Sequence, residues 1–344
     1  MTRNRKIFVA LAMAVMFVAV RFAWSFGSRS TVYGVSTSWT GEEATSVDSS
    51  NTTVVFPFIG ESSFFRSVRP EEASNLPTVY SWARTDRSGS VIEDMLSAHA
   101  YAFAHNMTYG GACSHQTGSQ ANFVQRRPGH QELIKTLGLT QTLPFACPPP
   151  ESPKETFRTI HSKVYRHPRF KQVYWTREWV DNLRASSTRP AFLPCTGLSQ
   201  VVVHVRRGDV VLCQSKALRN RYDPNSFYLD WLKPYIASPT RYNITIYSEE
   251  DSYEDWNDFL KLNASNLQLR LDSPRDEVWN AIMDADIVLV AKSTFSKVPA
   301  IFNGHGVSYT TSLNDPWPIF RNLTRYQYDL IDQGIHQLEQ QRCA

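Results

Sequence analysis

The chain has 344 residues, 42% of them hydrophobic and 20% charged, which is enough for two ordinary domains and excludes a disordered or collagen-like composition. Its formal net charge of +4 does not mark a nucleic-acid binder. Four of the 36 basic residues (Arg3, Arg5, Lys6 and Arg21) fall in the first 27, where there is no acid, and the rest of the chain has as many basic residues as its 32 acidic ones.

That first segment is an apolar run from Ile7 to Val20 behind three basic residues, continued past Arg21 to Phe26. Arg21 can snorkel and Trp24 suits an aromatic belt, so residues 1–27 are expected to be a cytoplasmic tail and a signal-anchor helix. A cleaved signal peptide, with Ala23-Trp24-Ser25 as the site, is the competing reading; the charge between the apolar run and that site favours the anchor. Both deliver the chain to the secretory pathway. Five sequons, at Asn51, Asn106, Asn243, Asn263 and Asn322, agree with that address, Asn243 least because it opens an apolar strand. Cys113, Cys147, Cys195, Cys213 and Cys343 have no zinc-ligand spacing, and one or two disulfides are their natural use in an oxidising compartment.

Residues 28–55, rich in Ser and Thr, read as a flexible stem. Residues 56–190 then form an expected amino-terminal α/β domain. Val91, Met95, Leu96, Ala100 and Phe103 give a helix from Gly89 to Ala104, followed by a short strand ending in Gly110-Gly111. Gly129 to Gly138 and Thr176 to Arg184 are further helices. Residues 191–344 alternate strand and helix as a nucleotide-binding domain does. The expected strands are 200–205, 242–248, 267–271 (an edge strand by its alternation), 286–291 and 307–311. The expected helices are 225–236, 253–262, 276–283, 293–302 and 326–341.

The chemistry concentrates at two strand ends. Gln200 to Val205 is apolar almost throughout, as a strand buried on both faces requires, and it breaks into Arg206-Arg207-Gly208-Asp209. Ligands of open α/β sheets bind beyond the carboxyl ends of the strands, and guanidinium forks match phosphate oxygens. Ser293-Thr294-Phe295-Ser296 lies where another strand enters a helix, and helix amino ends bind phosphate through unsatisfied amides. Arg206 and Arg207 from one side and the serine-rich turn from the other are expected to clamp one diphosphate.

His204-Val-Arg-Arg-Gly-Asp209 resembles the His-x-Arg-Arg-x-Asp signature of the fucosyltransferase superfamily, and Asp286 to Ser296 is similar to the strand and Ser-Thr-Phe-Ser of its α1,2- and α1,6-members. The resemblance covers residues 200–303 well and the first half weakly. It implies a GT-B-like α/β fold, with two Rossmann-like domains facing a cleft, and an inverting transferase using GDP-fucose without a metal. It further implies a glycan or glycoprotein acceptor and a single-pass type II Golgi membrane protein.

By the same resemblance His204, Arg206, Arg207, Asp276, Ser293, Thr294, Phe295 and Ser296 hold the donor. Asp276 is the expected guanine reader, with Asp272 second. Asp209 and Glu249 both end strands as candidate bases, and Asp209 equally fits an ion pair orienting Arg206. Asp284-Ala-Asp286 spells a metal-binding pattern, yet its place before a buried strand reads as structural. Glu249, Glu250, Lys297 and Val298 depart from the α1,2 pattern and leave the linkage open. A transferase for another nucleotide sugar, or a non-catalytic glycan-binding protein, are the other readings. The aromatic, basic stretch from Tyr165 to Trp179 is a candidate acceptor surface through Trp175 and Trp179, with helix core as their alternative role.

Overall fold

The computed structural model describes residues 77–83, 88–114, 128–148, 170–190, 197–210, 221–250, 256–312 and 319–342. The expected anchor, the stem and Asn51 lie outside them, and among the described residues no helix is long and apolar enough to cross a membrane. All of them fall in one compact unit, Ser67–Ala344.

The first half is built on β1 (Thr78–Ala83), α1 (Ser88–Ala104) and β2 (Thr108–Ser114), two parallel strands joined by a helix. It continues through α2 (Pro128–Thr136), α3 (Phe170–Tyr174) and α4 (Arg177–Ala185). Thr176 caps α4 by accepting from the Trp179 amide. Gly110-Gly111 does not end β2; the strand runs through both glycines to Ser114. The register slips by one between Val79 and Tyr80, making Gly110 a bulge residue, and a Cβ there would lie 2.5 Å from the Tyr80 ring. Gly111 takes a φ of +129°, which disfavours any side chain. Cys113 and Cys147 form a disulfide between the end of β2 and the segment after α2.

The second half has β3 (Ser199–His204), α5 (Asn225–Ile236), β4 (Tyr242–Ser248), α6 (Asn257–Leu260) and β5 (Leu267–Leu271). It continues with α7 (Arg275–Asp284), β6 (Ile287–Val290), α8 (Thr294–Ile301), β7 (Val307–Thr310), β8 (Arg321–Asn322) and α9 (Arg325–Arg342). The strands lie in the order β5-β4-β3-β6-β7-β8, all parallel. From β3 the chain steps outward to β5, then returns to β3's other side at β6 and steps outward again. That is the doubly wound order, and its switch point lies between β3 and β6.

Alternation along β3 distributes its side chains between two cores. Val201, Val203 and Val205 join α5 and α9 on one face, through Phe227, Tyr228, Trp231 and Ile331. Val202 joins α7 and α8 on the other, through Val278, Ile282 and Ala300. The outer sides of α7 and α8 then complete the core of the first half: Trp279, Met283, Val298 and Ile301 pack with Ile92, Met95, Leu96 and Leu133. Arg184 donates to the Ile301 and Asn303 carbonyls at 2.6 and 2.9 Å, tying α4 to the far end of α8.

The expected helix 253–262 is only one turn within the described residues; Trp256 and Phe259 are buried there, but Leu260 faces solvent. Among the sequons, Asn106, Asn263 and Asn322 are exposed, while the Asn243 amide donates to Gln200 Oε1 within the sheet.

Candidate functional site

At the switch point, Arg206 follows β3 and reaches sideways to β6. Its Nη1 donates to the Lys292 carbonyl at 3.2 Å, just before Ser293, the N-cap of α8. Its Nε and Nη2 donate to the two oxygens of Asp209 at 3.3 and 2.9 Å. Asp209 therefore orients the guanidinium, which is one of the two roles its position allowed. Two of Arg206's five N–H groups remain for a ligand. Between the two residues Gly208 adopts a φ of +74°, and a Cβ on it would meet Glu249 Oε2 at 2.3 Å. The positive φ favours glycine, and the Glu249 carboxylate lies against the same turn.

Two helix amino ends meet here. The start of α8 abuts the start of α1, where Ser90 Oγ and Thr294 Oγ1 lie 3.4 Å apart. Neither helix has an acidic residue in its first turn, so nothing covalent offsets the partial positive charge of either end. Ser293 is buried without a side-chain capping bond, and the Ser296 hydroxyl donates back to the Ser293 carbonyl at 3.3 Å. Ser296 thus braces the turn from a fully buried position.

The contact between the helices depends on Gly89, whose added Cβ would lie 2.6 Å from Phe295 N and 2.7 Å from its Cα. Helix propensity alone favours alanine here by roughly 1 kcal/mol. The clash is with backbone, which cannot swing aside, so it decides the sign. Gly89→Ala is expected to destabilise the fold by about 1–3 kcal/mol. Thermal melting at the wild-type temperature would show that the two helix ends do not touch in solution.

His204 is buried beside this turn, with its ring centroid 5.5 Å from that of Phe295. Burial, and then Arg206, lower its pKa to about 3, so the imidazole stays neutral. Its Nδ1 has no hydrogen-bond partner among the described residues. A buried polar atom of this kind calls for an explanation, and a ligand group supplies one. Phe295 links His204 to Trp279 of α7, 5.9 Å away by ring centroids. Asp276 lies in the first turn of that helix, half-buried, at the same edge of the sheet.

Other expected residues are placed differently. Arg207 does not face the site: it is fully buried and donates to the Arg206 carbonyl (2.8 Å), the Asp223 carbonyl (3.0 Å) and Asn225 Oδ1 (2.9 Å). The period-two alternation of β3 explains this, since consecutive residues leave a strand on opposite faces. Asp272 has a φ of 51° and accepts from the Glu250 amide at 3.1 Å, which makes it a turn residue. Asp284 is held by Arg189 through both oxygens at 2.6 Å, and Asp286 accepts from the Gln200 amide at 2.8 Å. Both are structural, as their position before a strand implied. Among the described residues no group of three His, Cys, Asp or Glu is arranged to hold a metal ion.

Trp175 and Trp179 are not an acceptor surface. Both lie in the core of the first half, and Trp179 Nε1 donates to His99 Nδ1 at 3.0 Å. Burial lowers the His99 pKa to about 4, which keeps it the neutral acceptor this bond needs. Two residues that the sequence reading did not single out, Lys292 within the Asp286–Ser296 stretch and Asp223, form an ion pair at 2.8 Å.

No protein-family model and no characterised protein sequence matches the chain. Among solved structures it is similar to E. coli heptosyltransferase WaaC with ADP, at 12% identity over 77% of this chain and 98% of that one, with a TM-score of 0.38. It is also similar to POFUT1 in complex with GDP, at 13% identity over 69% of this chain and 98% of that one, with a TM-score of 0.36. The dodecameric iron-containing glycosyltransferase TibC from E. coli matches at 13% identity over 72% of this chain and 63% of its own, with a TM-score of 0.35. All three likenesses are distant.

Proposed function

We propose that the chain is an inverting glycosyltransferase moving L-fucose from GDP-fucose to a hydroxyl of a glycan or glycoprotein. It acts without a metal, as a type II Golgi membrane protein with its catalytic part in the lumen. The observation that carries the reading is Arg206 bonded to the Lys292 carbonyl. It fixes a guanidinium against the amino end of α8 at the switch point of a doubly wound sheet, where diphosphates are bound. The choice of GDP-fucose rests on the His-x-Arg-Arg-x-Asp and Ser-Thr-Phe-Ser resemblance.

In the reaction the bond between the sugar C1 and the β-phosphate oxygen breaks, and its electron pair goes to the diphosphate. Arg206 and the helix amides stabilise the charge that develops. The acceptor oxygen forms the new bond to C1 from the opposite face, and its proton passes to a carboxylate. Glu249, exposed at the end of β4 against Gly208, is assigned that role, and Asp209 orients Arg206. Asp276 reads the guanine N–H groups, and His204 Nδ1 meets the nucleoside.

The test is a thermal-shift series on the full-length chain with GDP, GDP-fucose, UDP and ADP, in excess EDTA and in Mn²⁺. A ligand at a hundred times its Kd stabilises the native state by about 2.7 kcal/mol. GDP and GDP-fucose are expected to raise the Tm equally in both buffers. A shift with UDP or ADP alone overturns the donor, and one that needs Mn²⁺ overturns the metal-free site.

A further inference from the structure

We infer that Lys292 is the second cation of the diphosphate site, in the place expected of Arg207, and that Asp223 is the positioning residue that holds it. The inference rests on the donor-site reading above. Lys292 is the last residue before the N-cap of α8, and its carbonyl is the group that Arg206 grips. Its ammonium lies 2.8 Å from Asp223 Oδ1, with the lysine side chain 22% exposed and the aspartate 1%. The contact is an ion pair without hydrogen-bond geometry, since Asp223 Oδ1 has no hydrogen-bond partner among the described residues, and the N–H groups of the ammonium remain for a ligand.

Asp223 is itself fixed from three strand ends. Its Oδ2 accepts from Thr311 Oγ1, just beyond β7, at 2.6 Å and from Tyr228 OH at 3.4 Å. Its carbonyl accepts from Arg207 beyond β3, and its carboxylate pairs with Lys292 beyond β6. A carboxylate so held presents Lys292 in one position. The two cations then meet at the entry to α8, Arg206 through the Lys292 carbonyl and Lys292 as the residue before the N-cap, one steered by Asp209 and the other by Asp223. A purely structural partner for Asp223 needs neither the solvent exposure nor the place at a helix amino end. Replacing such a buried pair by apolar groups is in general close to neutral for folding.

The test uses the full-length chain and compares GDP with GMP by calorimetric titration. The Lys292→Met/Asp223→Asn double variant removes both charges, so no unpaired carboxylate is left buried. It is expected to bind GDP roughly thirtyfold more weakly, the value of one charge-assisted hydrogen bond, with GMP affinity nearly unchanged. Lys292→Arg keeps the wild-type ratio of GDP to GMP affinity. A folded double variant with that same ratio overturns the inference.

A second measurement needs no variant: GDP, and not GMP, should protect Lys292 of the wild-type chain from acylation by an amine-reactive ester. Equal labelling with and without GDP also overturns it. If wild type binds GDP while Lys292 proves indifferent, only this inference falls. If wild type binds none of GDP, ADP and UDP, the donor-site reading falls and takes this one with it.

Discussion

On the proposed transferase reading, the Arg206→Lys variant is expected to turn over roughly a hundredfold more slowly than wild type, or worse, while melting within a few degrees of it. One guanidinium makes three directed bonds here, two to Asp209 and one to the Lys292 carbonyl, and keeps N–H groups for the leaving diphosphate. An ammonium is a point charge and cannot span both supports while reaching a phosphate. Stability should change little because neither partner is deeply buried: the side chains of Arg206 and Asp209 are 13% and 27% exposed, so Asp209 can rehydrate. Because the interaction strengthens as charge builds on the diphosphate, the loss should fall on kcat more than on donor KM. Steady-state kinetics beside a thermal melt decides it. Turnover close to wild type would remove Arg206 from the reaction.

Much of the second half was legible because buried parallel strands leave a strong mark. Asn225–Ile236 and Tyr242–Ser248 have the bounds that periodicity predicts, and β5, read as an edge strand from its alternation, is one. The first half was harder. β1 is six residues with serine and tryptophan breaking its apolar pattern, and it exists by pairing with a bulged, glycine-bearing strand. β8 is two polar residues defined by their neighbour alone. Periodicity reports burial and is silent on such contacts.

At the candidate site, the motif marked the turn after β3 but said nothing of which way each side chain leaves it. The alternation of Val201, Val202 and Val203 already implied that Arg206 and Arg207 part to opposite faces. Lys292 lay inside the Asp286–Ser296 stretch without being singled out, and Asp223 had no local signal at all. Thr311 and Asp223 are 88 positions apart, and the sheet order brings them together.

The neighbouring arginine should therefore behave in the opposite way. Arg207→Met is expected to cost about 3–5 kcal/mol, as breaking a buried charged network does. At a few degrees per kcal/mol for a domain of this size, that is a fall in Tm of roughly 10 °C. Arg207 joins the turn after β3 to the start of α5 through the Asp223 carbonyl and Asn225 Oδ1, and its guanidinium lies 4.4 Å over the Tyr222 ring. Methionine fills part of the volume but withdraws the donor from both buried acceptors. Arg207→Lys should recover little of the loss, since one ammonium cannot bond acceptors on two sides while stacking on a ring. Turnover measured well below the transition should follow the folded fraction, because no ligand atom reaches a fully buried side chain. The decisive comparison is the two lysine variants in one set of melts and rate assays: position 206 should lose rate and keep Tm, and position 207 should lose Tm. If Arg207→Lys instead melts with wild type and fails to turn over, the second arginine works on the substrate.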